Sequence, residues 1–229
     1  MINRNLFILS IGQIFSFTSP VVSILLSGII GSSMTNIDYL ATLPTALMIV
    51  GTAIGSLIAS KIMQLKGRRF GFSLASIINS FFSLICAYAI FINSFQLFCI
   101  ANLTIGLSVS FAQQYRFAAT ESVKSSNIPK AISLILLLGI VASLLGANIV
   151  SLTKDFHLTT YVGSYLAMSI LTIVPFFFFI FYKNEETINS KNFKSNKSII
   201  ELLSNKNIQL SILSAGIGYT TMSTLMTAT

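Results

Sequence analysis

The sequence predicts an all-α membrane protein, and its composition and apolar pattern are the observations that predict it. Of 229 residues, 54% are hydrophobic and 9% are charged, with a mean hydropathy of +0.83. Soluble domains carry about a quarter of their residues charged, so this chain could not cover its own surface in water. Seven apolar stretches are each long enough, at about 20 residues, to cross the hydrocarbon core as a helix. The Lys and Arg residues that give the net charge of +8 lie between these stretches or near their ends. They indicate topology, so no nucleic-acid partner is predicted.

The apolar stretches divide the chain into two helical regions joined by a polar loop. The predicted spans are 6–31, 39–63, 70–92, 95–118, 131–152, 161–182 and 208–229. We expect a six-helix transmembrane bundle in 1–182, a cytoplasmic central loop in 183–207, and the seventh helix, the start of a second bundle, in 208–229. Within the loop, Ser198 and Glu201 have the spacing of a capping box and predict a short helix on the membrane surface. The first stretch is too long for a signal peptide and is expected to remain as a span.

Lysine and arginine predict the orientation of the spans. If the N-terminus lies in the cytoplasm, all but Lys154 of the 14 Lys and Arg residues fall in cytoplasmic segments. Membrane proteins keep their short cytoplasmic loops rich in these residues, so the asymmetry predicts a cytoplasmic N-terminus. We therefore expect a multi-pass protein of the cell inner membrane, embedded in the lipid bilayer.

The side chains needed for catalysis are scarce at membrane depth. None of the six acidic residues falls in the middle of a predicted span, and the lone His157 lies in a predicted outer loop. General acid–base, nucleophilic and metal-assisted mechanisms therefore lack their usual groups. Cys86 and Cys99 lie inside apolar stretches, where packing is the expected role. The sequence predicts no enzyme, no cofactor and no metal site.

A motif occupies the connection between the second and third predicted spans. It reads Ser60-Lys61-Ile62-Met63-Gln64-Leu65-Lys66-Gly67-Arg68-Arg69. This resembles the cytoplasmic loop motif of the major facilitator superfamily, glycine-x-leucine-x-aspartate-arginine-x-glycine-arginine-arginine. The end of the motif matches, and Gly67 is expected to supply a tight turn. A basic positive-inside loop of any membrane protein would share part of the pattern.

The loop also departs from the family motif. Gln64 and Leu65 stand where the family has aspartate and arginine. The family's aspartate makes charge contacts that help to hold one state of the gate, so that contact is expected to be missing here. By the resemblance, we expect Gly67, Arg68 and Arg69 to control gating or insertion more than substrate affinity.

Two further helices resemble the family more weakly. On the fourth, Asn102 and Gly106 occupy the place of the family's arginine-x-x-x-glycine pattern, with Asn102 at the arginine position. On the fifth, a stripe of small residues resembles the family's glycine-rich motif and predicts close helix contact. This stripe consists of Gly139, Ser143, Gly146 and Ala147. Close packing alone would also explain such a stripe.

Two longer segments extend the resemblance to a bacterial branch of the superfamily. They are Gln113 to Ala119, followed by Lys130 to Ser133, and Gly218 to Thr229. Members have about twelve spans in two halves, so the resemblance covers this whole chain, and the chain covers little more than half of the family fold. It implies a permease that moves a small solute by alternating access and needs a second transmembrane half. The substrate, the direction of transport and the coupling ion do not follow from it.

The resemblance also indicates which residues are candidates for the substrate cavity, because the family lines its cavity with the first, fourth and seventh helices. Polar residues at membrane depth are costly unless they face a bundle interior or a wet cavity. The candidates are Gln13, Phe17, Asn102, Gln113, Gln114, Arg116 and Tyr219. On the fourth helix, Asn102, Gly106, Gln113 and Arg116 are expected to share one broad face. An interhelical hydrogen bond or plain packing is the competing interpretation for each, and it is stronger still for Asn79.

Two other interpretations remain at the level of sequence. Arg116 could form a gate ion pair with Glu121, but a spacing of five is poor for a helix, so Arg116 could instead pair across helices. The chain could also be a non-transporting membrane subunit or an inactive remnant of a transporter. Because the superfamily site needs residues from both bundles, we expect this chain alone not to transport.

Overall fold

A computed structural model describes residues 3–156, 159–184 and 206–227, and every regular element in these ranges is helical. The helices are α1 Arg4–Ser16, α2 Thr18–Met34, α3 Leu43–Phe91, α4 Phe95–Ala112, α5 Tyr115–Glu121, α6 Ile128–Thr153, α7 Val162–Phe179 and α8 Lys206–Thr227. Short 3-10 turns occupy Asp38–Leu40 and Ser125–Asn127. The predicted all-α fold class is confirmed.

Five helical runs of the described residues are long and apolar enough to cross a membrane. They are Arg4–Met34, Leu43–Phe91, Phe95–Glu121, Ser125–Thr153 and Val162–Phe179. The second contains 49 residues, which would extend about 73 Å if straight, more than twice the ~30 Å hydrocarbon thickness. It therefore contains the second and third predicted spans, so the described residues hold six candidate crossings.

The long helix α3 is broken at Gly67. Its φ of 82° and ψ of 162° are non-helical and belong to a region that only glycine adopts readily. The two arms, 43–66 and 68–91, fold back on each other, since an added Cβ on Gly71 would lie 2.8 Å from Met63 Cγ. The predicted tight turn is confirmed.

The buried side chains of the bundle form two layers. One layer lies beside the turn at Gly67 and contains a cluster of aromatic rings from α3, α5 and α7: Phe72, Tyr115, Phe179 and the following Tyr182. The other is built from Val22, Leu26, Met48, Cys86, Phe98, Ile105, Tyr165 and Met168. We call the end of the bundle that carries the Gly67 turn, Glu121 and Lys183 the basic end. Cys86 and Cys99 are buried and free.

Glycines allow α4 to lie directly against the N-terminal arm of α3. An added Cβ on Gly106 would lie 3.0 Å from Met48 Cα, and one on Gly55 would lie 2.9 Å from Leu107 Cα. Gly51 is equally close to the backbone of Leu103. Lipid supplies no hydrophobic force between helices, so close backbone packing of this kind helps to hold the pair together.

The small residues of α6 do not all face one neighbour. Gly146 contacts Val21 of α2, and an added Cβ there would lie 3.0 Å from Val21 Cγ1. Gly139 lies beside Gln13 of α1. Ser143 and Ala147 are exposed, so the predicted stripe is divided between two faces. The expected close approach of another helix is found at the two glycines only. Residues seven apart lie about 20° from each other around a helix, whereas Ser143 and Ala147 are turned about 40° and 80° from Gly139.

The chain divides into two compact units, Met1–Glu185 and Glu186–Thr229. The first contains α1 to α7. In the second, α8 coincides with the seventh predicted stretch, although it is not among the five candidate spans, and its crossing of the membrane stays a prediction. The predicted surface helix at Ser198 and the outer-loop His157 lie outside the described residues, as does the side chain of Tyr219.

Candidate substrate cavity and gate

The first span is interrupted at Phe17. Helix α1 ends at Ser16 and α2 begins at Thr18. Pro20 contributes to the interruption because it has no N–H to donate to the carbonyl of Ser16, four residues earlier. The hydroxyl of Thr18 donates to the carbonyl of Phe15 at 2.6 Å, which satisfies part of the disturbed ladder. Phe17 is half-buried and packs on the core layer at the basic end.

The fourth span is interrupted at Gln113 and Gln114. Both side chains are half-buried and lie between α4 and α5. The backbone of both residues stays in the right-handed helical region, so the interruption is a local turn. Asn102 and Gly106 are buried and Arg116 is exposed, and the expected common face of Asn102, Gly106, Gln113 and Arg116 stays a prediction.

A buried hydrogen bond joins the two interruptions. The hydroxyls of Ser16 and Tyr115 lie 3.0 Å apart, and Tyr115 is 1% exposed. The Tyr115 ring packs edge-on against Phe72, with centroids 4.8 Å apart. Gln13, one turn before Ser16, is buried with its amide beside Gly139. The fold thus brings α1, with the predicted Gln13 and Phe17, against α5, which follows the predicted Gln113 and Gln114.

Asn102 lies inside the bundle. Its side chain is fully buried, and its Nδ2 donates to the carbonyl of Phe98 at 2.9 Å and to Cys86 Sγ at 3.7 Å. Its Oδ1 accepts from the hydroxyl of Ser27 at 3.4 Å. The prediction that Asn102 lines a cavity is not supported here, because its amide is used in packing α2, α3 and α4. The polarity of a residue within a span does not show whether the residue lines a cavity or joins neighbouring helices.

Other buried polar groups also connect helices to each other. Asn79 Oδ1 accepts from the hydroxyl of Ser19 at 2.9 Å, which joins the C-terminal arm of α3 to α2. The hydroxyls of Ser80 and Ser169 lie 3.0 Å apart and join the same arm to α7. The packing interpretation that the sequence favours for Asn79 agrees with this contact.

Arg68, one of the residues predicted to form a gate, makes an ion pair at the basic end. Nε and one terminal nitrogen of Arg68 donate to the two carboxylate oxygens of Glu121 at 2.7 and 2.6 Å. This bidentate pair joins the Gly67 turn to the end of α5. Both side chains are partly exposed, so the pair is screened by water and fixes geometry more than it adds stability.

Arg116 does not pair with Glu121. Its guanidinium lies 5.1 Å from the ring centroid of its exposed neighbour Phe117, while both carboxylate oxygens of Glu121 bind Arg68. Arg68 and Glu121 are 53 residues apart, so no local spacing rule could have found the pair. No local pattern in the sequence indicated Ser16 or Tyr115, because their contact depends on which helix ends meet.

The chain is similar to transporters over most of its length. The riboflavin transporter RfnT of Brucella anthropi is 31% identical over 228 residues, 98% of this chain and 57% of that protein. The uncharacterized MFS-type transporter YdeG of Bacillus subtilis is 29% identical over 76% of this chain and 40% of its own length. The uncharacterized MFS-type transporter YddS of the same organism is 26% identical over 67% of this chain and 35% of its own.

No protein-family model and no solved structure matches the chain. The chain spans about half the length, or less, of the curated relatives it matches. The 31% identity over 98% of the chain shows its family. The chain belongs to the major facilitator superfamily.

Proposed function

We propose that the chain forms the N-terminal bundle of a secondary carrier that works by alternating access with a second bundle. The observation that carries this proposal is the interruption of both predicted cavity helices at predicted cavity residues, Phe17 on the first span and Gln113 and Gln114 on the fourth. Interrupted helices are typical of transporter substrate sites. The proposal includes no enzymatic activity.

Within this carrier, the cavity of the first bundle consists of Gln13, Phe17, Gln113 and Gln114. These residues offer three amides and one aromatic ring, without a charge. Arg116 is exposed on α5 and stands close to the basic end. Tyr219 of α8 would contribute from the second bundle. The gate consists of Gly67, Arg68 and Arg69, which contribute the turn and one side of the ion pair with Glu121.

For the substrate, we propose a neutral, planar solute with several hydrogen-bonding groups, of the flavin type. One relative, 31% identical over 98% of this chain, is a riboflavin transporter. An uncharged amide and aromatic lining suits such a solute, since amides can both donate and accept and the ring can stack. A charged metabolite would lack an opposite charge among these four residues.

Alanine variants test the proposed substrate. Gln113→Ala and Gln114→Ala, in the carrier completed by its second bundle, are each expected to weaken riboflavin binding about fivefold, since one hydrogen bond contributes about 1 kcal/mol. Gln96→Ala is the matched control, because Gln96 is exposed at the opposite end of α4. Equilibrium binding and saturable riboflavin uptake are measured together. Unchanged affinity in both cavity variants, or an equal loss in Gln96→Ala, would remove the assignment.

The N-terminus is proposed to lie in the cytoplasm, because this orientation places all but Lys154 of the basic residues inside. Cysteines introduced at Thr159 and Ser195 test the orientation in intact cells. A membrane-impermeant maleimide is expected to label Thr159→Cys from outside and Ser195→Cys only after the cells are opened. The wild-type chain is the control, since Cys86 and Cys99 are buried. Labelling of Ser195→Cys from the outer face would reverse the topology.

A further inference from the structure

The turn at Gly67 leaves the first amides of the following arm, 68–91, without partners in their own helix. The first four N–H groups of an α-helix lack such partners, and a Ser, Thr, Asp or Asn just before the helix usually accepts one of these bonds. The residue just before this arm is Gly67, whose backbone is non-helical and which has no side chain. A cap for this helix must therefore come from another part of the fold.

Asn184, just after α7, supplies this cap. Its Oδ1 accepts a hydrogen bond of 2.9 Å from the backbone N–H of Arg69. Arg69 is the second residue of the arm, one of the two positions that N-cap side chains usually bind. The same carboxamide lies against Gly67, where an added Cβ would come within 3.0 Å of Asn184 Cγ. Because Gly67 has no side chain, the carboxamide of Asn184 fits beside it and accepts the hydrogen bond that a capping side chain at this position would accept.

Asn5 fixes the backbone next to this amide. Its Nδ2 donates to the carbonyl of Lys183 at 2.9 Å, and its Oδ1 accepts from the N–H of Lys183 at 3.2 Å. The carboxamide therefore binds both polar groups of one residue, and the Asn5 side chain is 3% exposed. Because Asn184 follows directly, Asn5 holds the backbone from which Asn184 reaches the turn.

We propose that Asn184 is the N-cap of the third span, donated from the end of the sixth, and that Asn184 and Asn5 are positioning residues of the gate loop. The gating part rests on the proposed transport function. Gln64 and Leu65 stand where the loop motif has aspartate and arginine, so that charge contact is expected to be missing. The carboxamide of Asn184, positioned through Asn5, holds the loop beside the ion pair of Arg68 with Glu121.

Hydrogen–deuterium exchange at single amides of the purified chain in detergent tests the cap. In Asn184→Ala, the Arg69 amide is expected to exchange about tenfold faster than in the wild-type chain. Asn184→Asp keeps an acceptor oxygen and adds a negative charge at a helix N-terminus, so it is expected to restore protection. Asn5→Ala should accelerate exchange at Lys183 and, more weakly, at Arg69. An Arg69 amide that exchanges at the same rate in the wild type and Asn184→Ala would overturn the proposal, as would an Asp variant as fast as Ala.

Asn148→Ala is the matched control, because Asn148 is exposed and its amide donates only within α6, to the carbonyl of Leu144. It is expected to leave Arg69 unchanged, and an equal acceleration there would overturn the proposal. In the carrier completed by its second bundle, Asn184→Ala should change the maximal uptake rate and leave the equilibrium affinity for the solute unchanged. Asn184→Asp should restore the wild-type uptake rate. A change in affinity alone would overturn the gating role. If no variant and no wild-type carrier transported, the proposed function would fail, while the exchange result would still decide the cap.

Discussion

Replacing Gly106 with alanine is expected to destabilise the six-helix bundle by about 3 kcal/mol, toward the upper end of the cost of overpacking. The added Cβ would lie 3.0 Å from Met48 Cα and closer still to the Met48 carbonyl. These atoms belong to the backbone of a neighbouring helix, so no rotamer change can relieve the contact. Helix α4 and the N-terminal arm of α3 would have to separate, and the contacts of Gly51 and Gly55 would be lost with them.

Gly28→Ala is the matched control for this prediction. Gly28 lies within α2, and an added Cβ there has nothing within 4 Å. This variant is expected to leave stability unchanged or to raise it by up to about 1 kcal/mol through helix propensity. Thermal and denaturant unfolding of the purified chain measure both variants. Equal stability of Gly106→Ala and Gly28→Ala would show that the crossing of α3 and α4 is not as close as described.

Replacing Tyr115 with alanine is expected to cost about 3 to 5 kcal/mol, as for other large aromatic side chains removed from a core. Tyr115 is 1% exposed and contacts both Phe72 and Phe179, with ring centroids 4.8 and 5.7 Å away. Tyr115→Phe keeps these ring contacts and removes only the hydrogen bond to Ser16, so about 1 kcal/mol is expected.

Phe117→Ala is a suitable control, because Phe117 lies on the same short helix and is 49% exposed. Its removal is expected to change stability by less than about 0.5 kcal/mol. The three variants are compared by unfolding of the purified chain. If Tyr115→Ala were no less stable than Phe117→Ala, the aromatic cluster could not be what joins the two interrupted spans.

Composition and apolar run length were enough to predict the helical fold and the five apolar helical runs found among the described residues. In lipid every backbone polar group must be hydrogen-bonded within the protein, so a long apolar segment spans the membrane as a helix or as part of a closed barrel. The turn at Gly67 was also predictable, because a glycine beside two arginines interrupts an otherwise apolar pattern. Its positive φ of 82° agrees with that expectation.

Composition and run length could not predict where the spans are interrupted or which residues their polar side chains contact. The interruptions at Phe17 and Gln113 are one or two residues long and depend on Pro20 and on packing against other helices. Asn102 and Gln113 are both polar residues of one span, but the first is enclosed by α2 and α3 and the second lies at a break. Contacts such as Arg68 with Glu121 join residues far apart in sequence, and only the fold brings them together.

The central claim is that the chain provides one of the two bundles that a carrier of this family needs. The site is expected to need residues from both bundles, and the chain spans 57% of the length of the riboflavin transporter that it resembles. In the chain alone, the amides of Gln113 and Gln114 would face lipid or a non-cognate partner, at a cost on the order of 1 kcal/mol or more each. Low abundance and proteolysis in cells are expected to follow.

Uptake by the purified chain in liposomes tests this claim most directly. Riboflavin and a broad panel of metabolites and drugs are offered to liposomes that contain only this chain, with the Brucella anthropi riboflavin transporter as the positive control. No saturable uptake by the chain is expected, together with saturable riboflavin uptake by the control. Saturable, inhibitor-sensitive uptake of any solute by the chain alone would contradict the account.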